Sequence, residues 1–164
     1  HSSAVRPSLE RSTTINYVTK DPTDTLSGKL MISGAPTGNV TLKSSGLANL
    51  TSAPPKEFDG PGDQWSPETL LTAALADCFV LSFRAVAAAS KFEWQQLECD
   101  VEGTLDRIER VSQFTRFVVK AKLTVPAGAD VERAKKLLEK AEQVCLISAS
   151  LKSEKHLELE VITT

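Results

Sequence analysis

The sequence predicts an α+β fold in which mainly antiparallel sheets pack on one long central helix. Three observations carry this. Strand-like and helical runs are grouped (three strands, a helix, two strands, a helix, a strand) instead of alternating singly. Residues 66–91 form a long apolar run with no internal glycine and no proline after Pro67. Residues 95–106 alternate apolar and polar side chains with period two, as a half-buried strand does.

Taken in order, residues 1–11 are polar and read as a flexible N-terminal segment. Residues 12–19 (STTINYVT) are β-branched and aromatic and predict a strand. Asp21, Pro22 and Asp24 make a turn before a second strand over Thr25 to Ser33. Gly34 to Asn39 is a second turn, and Val40 to Ser44 a third strand, so that the three form an antiparallel meander. Residues 45–65 carry Pro54, Pro55 and Pro61 with Gly46, Gly60 and Gly62, which predicts a long loop. Loops of this length in compact domains are often functional. Phe58 and Trp65 are its apolar anchors, placed either to pin the loop to the core or to line a pocket.

The helix over 66–91 has clear start signals. Ser66 is a good N-cap, Pro67 suits the first helical position, and Glu68 places a carboxylate in the first turn. Its length would be roughly 37 Å at the usual helical rise. Leu71, Ala74, Leu75, Cys78, Leu81, Ser82 and Ala85 follow the i, i+3, i+4 spacing of a core-facing stripe. Glu68 and Cys78 are separated by roughly 80° around the axis and so lie towards the same side. On periodicity alone Cys78 is a buried structural cysteine, the commonest role for that residue type in a core.

Beyond it, Leu97, Cys99, Val101, Gly103 and Leu105 share one face of a strand over Gln95 to Asp106. Residues 108–113 read as a polar turn or an extension of that strand, and Phe114 to Val125 as the next one. Val131 to Val144 is an amphipathic helix with Asp130 as N-cap and Ala134, Leu137, Leu138 and Ala141 as its apolar stripe. Residues 145–151 follow, and a final strand runs from about Lys155 to Ile162.

The 164 residues suit one domain over 1–164. Apolar residues make up 41% and the net charge is −2, which argues for a core-forming protein with no nucleic-acid partner. Asp77 and Arg84 interrupt the apolar helix, so it reads as a core helix and not a membrane span. Three cysteines do not make a disulfide framework, and a reducing, cytoplasmic setting is expected. With His1 and His156 as the only imidazoles, and no CxxC or HExxH, no metal site is expected. No GxGxxG or P-loop points to a nucleotide.

Two stretches together carry a family resemblance. The segment Trp65-Ser-Pro-Glu-Thr-Leu-Leu-Thr-Ala-Ala-Leu-Ala-Asp-Cys78-Phe resembles the helix of the OsmC/Ohr superfamily, the osmotically inducible and organic hydroperoxide resistance proteins. That helix has Pro-Glu near its start and Cys-Phe ten residues after the glutamate. The segment Ala141-Glu-Gln-Val-Cys145-Leu-Ile-Ser-Ala-Ser-Leu is similar to the family's second cysteine motif, with a serine three residues on. The resemblance implies an intertwined homodimer that reduces organic hydroperoxides with thiols. It assigns Cys78 as the reactive thiolate, Cys145 as the resolving cysteine and Glu68 as a site carboxylate, with substrate lining near Phe58, Trp65 and Phe79. It calls for no cofactor, only an external dithiol reductant of the lipoyl or thioredoxin type. It also implies that Cys78 and Cys145 meet while Cys99 stays apart. The family's arginine has no counterpart in the turn Gly34-Ala-Pro36-Thr-Gly38, which leaves Lys56, Arg84 or a partner-subunit arginine as substitutes. Leu146 stands where the family commonly has proline. A non-catalytic dimer that binds a small apolar ligand, and a cysteine redox sensor, are the alternative functions.

Overall fold

The computed structural model describes residues 30–164. The segment 1–11, the strand at 12–19 and the start of the strand at 25–33 lie outside the described residues. The chain divides into two compact units, one of Thr25–Ala73 and one that contains Ala74–Thr164.

In the first unit, β1 (Leu30–Ser33), β2 (Val40–Ser44) and β3 (Leu50–Ser52) form an antiparallel meander. Met31 pairs with Lys43, and Thr41 with Thr51. β3 corrects the expectation of an unbroken loop over 45–65. Three residues are too few to show a period-two pattern, and the following prolines masked the strand. A short 3₁₀ turn, Lys56–Phe58, also lies in this stretch. The Ala53 N–H donates to the Trp65 carbonyl at 2.8 Å, so the loop returns to β3 before the helix starts. Gly60 permits that path. A Cβ there would stand 1.6 Å from the Pro54 carbonyl oxygen, which no side chain survives.

Helix α1 (Pro67–Ala89) starts in this unit and runs on into the second. Ser66 caps it as expected. The Thr69 N–H donates to Ser66 Oγ at 3.1 Å, and the Ser66 N–H donates back to Thr69 Oγ1 at 2.8 Å. This is the reciprocal logic of a capping box, with threonine in place of glutamate.

The second unit holds a sheet in the order β4-β5-β6, made of β4 (Gln96–Ile108), β5 (Val111–Val125) and β6 (Glu154–Thr163). β4 and β5 are antiparallel and joined at Glu109 and Arg110, whose φ values are 49° and 70°. Left-handed backbone at both positions is the geometry of the tight hairpin turn whose twist matches the strands. Residues 108–113 are therefore strand extension around a two-residue turn. β6 runs parallel to β5, from the Arg116–Glu154 pair to Val125–Thr163. A parallel pair needs a crossover, and α2 (Val131–Val144) with α3 (Leu146–Ser150) supplies it. The predicted cap of α2 is present: Asp130 Oδ1 accepts from the Arg133 N–H at 3.0 Å.

The core of this unit draws on three elements. Leu75, Phe79, Phe83 and Val86 come from α1, Phe117, Val119, Leu123 and Val125 from β5, and Ala134, Leu138 and Ala141 from α2; all are buried. Phe83 meets Trp94 edge-on at 5.2 Å between ring centres. The buried face of α1 is rotated from the expected stripe. Leu75, Cys78 and Ser82 are on it, while Leu71, Leu81 and Ala85 are only half-buried. By length and apolarity alone α1 could cross a bilayer, yet Asp77 and Arg84 are exposed along it and its phenylalanines fill the core.

Candidate functional site

The second unit brings Cys78 and Cys145 together. Cys78 lies midway along α1 and is 7% exposed; Cys145 is fully buried. The chain breaks its helix at Cys145, which ends α2 and begins α3 with extended backbone, φ −66° and ψ 112°. The two thiols share a hydrogen bond. Ser82, one turn on from Cys78, places its hydroxyl 3.9 Å from the Cys78 sulfur. The Ser148 backbone N–H bears on the Cys145 sulfur from the first turn of α3, without completing a conventional cap.

A carboxyl group completes this cluster. Glu142 lies one turn before Cys145 on α2, and the Ser148 hydroxyl donates to its Oε2 at 2.5 Å. Its Oε1 is buried and has no hydrogen-bond partner among the described residues. Burial pushes the Glu142 carboxyl above its ordinary value, and the nearby Cys78 adds to the rise. The Ser148 hydrogen bond and the positive charge of Lys155 oppose it. Lys155 is held by its own donations to the Leu151 and Ser153 carbonyls.

The thiols differ in character. The hydrogen bond to Cys78 is the largest cause that pushes the Cys145 thiol far above the usual range, followed by burial. The Ser148 N–H works against that rise, while the charges of Cys78 and Glu142 add to it. The hydrogen bond and burial both act against ionisation of the Cys145 thiol. Cys99, on β4, is pushed up to about 12 by burial and by the charges of Asp100 and Glu142.

The remaining expected residues fall as follows. Glu68 is in the first turn of α1, with its Oε1 buried and lacking a partner among the described residues. Phe58 is 53% exposed and Trp65 45% exposed, the latter bordering a shallow hollow with Gly62, Gln64 and Thr69. Phe79 is fully buried. Lys56 and Arg84 are exposed. Among the described residues the ion pairs are Lys120–Glu102 and Lys135–Glu132, and neither involves Glu68, Glu142 or a cysteine. No cluster of metal-ligating side chains occurs among the described residues.

Glu142 and Ser148 were not singled out from the sequence. A signal was available: position 142 lies four residues after the core residue Leu138, so an acidic side chain there falls beside the apolar stripe.

Residues 60–160 match the family model described as OsmC-like protein. An uncharacterised protein of Bacillus subtilis, YmaD, is 31% identical over 123 residues, covering 73% of this chain and 81% of the relative. An organic hydroperoxide resistance protein of Xanthomonas axonopodis pv. citri is 35% identical over 95 residues, covering 56% of this chain and 63% of its own length. The crystal structure of an organic hydroperoxide resistance protein from Legionella pneumophila superposes with a TM-score of 0.65 at 26% identity, over 85% of this chain and 99% of that one.

Proposed function

Because this chain belongs to the OsmC-like protein family, we propose that it reduces organic hydroperoxides with thiols, Cys78 as the attacking sulfur and Cys145 as the resolving one. The observation that carries this reading is the buried hydrogen bond between two cysteines that lie far apart in the chain. An S–H donor favours negative charge on the sulfur that accepts from it. In this reading Cys145 is the donor, and Cys78 is the sulfur prepared for attack. The Xanthomonas and Legionella relatives, named for organic hydroperoxide resistance, support the choice of substrate class.

The chemistry needs no metal or organic cofactor. The Cys78 sulfur attacks the O–O bond and becomes a sulfenic acid, and the alcohol leaves. Cys145 then closes a disulfide with release of water, and an external dithiol of the lipoyl or thioredoxin type reduces it. A reducing cytoplasm is the setting this cycle requires. Glu68 is a site carboxylate in this reading, and Phe58 and Trp65 contribute apolar lining, while Phe79 is a buried core residue. Steady-state consumption of cumene hydroperoxide with a dithiol tests it. Turnover is expected, faster than with hydrogen peroxide. A protein that forms the disulfide once but does not turn over with any dithiol is instead a redox sensor, whereas the lack of arginine in the Gly34–Gly38 turn favours a non-catalytic dimer that binds a small apolar ligand.

The functional unit in this reading is a homodimer. Among the described residues β1 is an edge strand with Leu30, Met31 and Ile32 at 63%, 66% and 58% exposure, an apolar stretch that a second copy would cover. Light scattering at micromolar concentration is expected to give twice the chain mass, and a monomer mass would overturn the assignment.

A further inference from the structure

We propose that the Glu142 carboxylate accepts the Cys145 proton as that sulfur closes the disulfide with Cys78, and that the Ser148 hydroxyl holds the carboxylate in place for the transfer. The proposal rests on the reading that Cys78 is oxidised by a hydroperoxide. In the first step an S–O bond forms, the O–O bond breaks, and the alcohol leaves with a proton. In the second, the Cys145 sulfur attacks the Cys78 sulfur, so that an S–S bond forms and the S–O bond breaks. The Cys145 proton passes to Glu142 and on to the departing hydroxide, which leaves as water. Two thiols give up two electrons, and the hydroperoxide becomes an alcohol and water.

Three observations lead here. Glu142 has one oxygen engaged by Ser148 at 2.5 Å and the other buried with no partner among the described residues. A buried carboxylate oxygen without a donor is rare, and it is available to take a proton. Its charge bears on all three sulfurs, those of Cys78 and Cys145 in the pair and that of Cys99 on β4. As a fixed charge it would only hinder thiolate formation beside it. As a proton acceptor it solves that problem. When Cys145 gives its proton to Glu142, the cluster still holds one negative charge, and two adjacent buried anions never form. The groups that face Glu142 are Cys78 from α1, Cys145 and Ser148 at the α2–α3 break, Cys99 from β4 and Lys155 from β6. Among them only Lys155 favours the ionised carboxylate by charge.

The test is a single turnover with one equivalent of cumene hydroperoxide. Sulfenic acid is trapped with dimedone, and disulfide is counted by mass spectrometry, from about pH 6 to pH 9. Glu142→Gln, which removes a negative charge beside Cys78, is expected to form the Cys78 sulfenic acid no more slowly than the wild type and to close the disulfide about 100-fold more slowly near neutral pH, the usual size of a lost general base. The defect is expected to shrink as pH rises, because solvent hydroxide then ionises Cys145. Glu142→Asp should recover part of the rate, and Ser148→Ala should lose about ten-fold. A Glu142→Gln protein that closes its disulfide at the wild-type rate, or with the same loss at every pH, would overturn the proposal. Should the wild type form no sulfenic acid, the peroxidase reading fails and a second arm decides: diamide adds to Cys78, and Cys145 displaces the adduct with the same loss of a proton. The same pH-dependent slowing in Glu142→Gln then supports the proposal, and equal rates overturn it.

Folding does not confound this variant. The folded-state pKa of Glu142 lies above its ordinary 4.5, so at neutral pH the ionised group is a burden on the folded state. That burden disappears as pH falls through the folded value towards 4.5, where the folded protein takes up the proton first. Glutamine retains an acceptor for Ser148 and carries no charge. Its urea midpoint at neutral pH is therefore expected to be no lower than that of the wild type, with the difference closing at acid pH.

Discussion

A Cys78→Ser variant is expected to lose hydroperoxide reduction by at least about a thousand-fold, as nucleophile removal typically does. Cys145→Ser is expected to keep one turnover and lose the rest. The asymmetry follows from the pair. A serine hydroxyl at position 78 still fits and still accepts a hydrogen bond, but an alcohol does not ionise near neutral pH and does not attack the O–O bond. Serine at position 145 leaves the attacking sulfur intact. Cys78 then becomes a sulfenic acid with no internal thiol to condense with, and excess peroxide drives it to the sulfinic acid. At 7% exposure, Cys78 is poorly placed to meet a bulky dithiol directly. Peroxide consumed per protein molecule separates the cases: many equivalents for the wild type with dithiol, about one for Cys145→Ser, none for Cys78→Ser. Cys99→Ser is the internal control, because a thiol pushed up to about 12 stays protonated throughout. Retention of more than about one hundredth of the wild-type rate in Cys78→Ser would remove it as the nucleophile.

Local signals survived into the structure wherever the deciding interaction is local. Asp130 caps α2 because its carboxylate lies within reach of a backbone N–H three residues on, and Ser66 caps α1 by the same geometry. The tight turn at Glu109 and Arg110 did not announce itself, because neither residue favours left-handed backbone; the pairing of β4 and β5 on either side imposes it. The face of α1 was misjudged for a different reason. The helix is apolar nearly all round, so a stripe through Leu71 and Leu81 is as regular as one through Phe79, Phe83 and Val86. Packing decides between them, and the larger aromatic side chains went inside.

The candidate site was legible only by resemblance. Cys78 sits on α1 and Cys145 at the end of α2, and no periodicity brings such positions together. Glu142 was passed over because a glutamate on an amphipathic helix, beside Glu132 and Glu139, normally faces water. Only the break at Cys145 turns that carboxylate towards Ser148.

Phe79 provides the second large effect, this time on stability. Its position directly after Cys78 suggested pocket lining, yet the ring is fully exempt from solvent, with 0% exposure among the core residues Leu75, Phe83 and Leu138. Truncating a fully buried phenylalanine loses the transfer free energy of the ring and leaves a cavity that packed neighbours fill only in part. Phe79→Ala is therefore expected to cost about 3–5 kcal/mol, a large share of the roughly 5–15 kcal/mol that holds a domain of this size together. Trp65, at 45% exposure, sets the contrast. Trp65→Ala is expected to cost no more than about 1 kcal/mol, because much of its ring already meets water. Urea unfolding of the two variants beside the wild type reads both values. A phenylalanine whose main task was to line an open pocket would behave the other way. Its loss would raise KM for cumene hydroperoxide and leave the midpoint nearly unmoved. A cost below about 1 kcal/mol for Phe79→Ala would therefore return that ring from the core to the pocket.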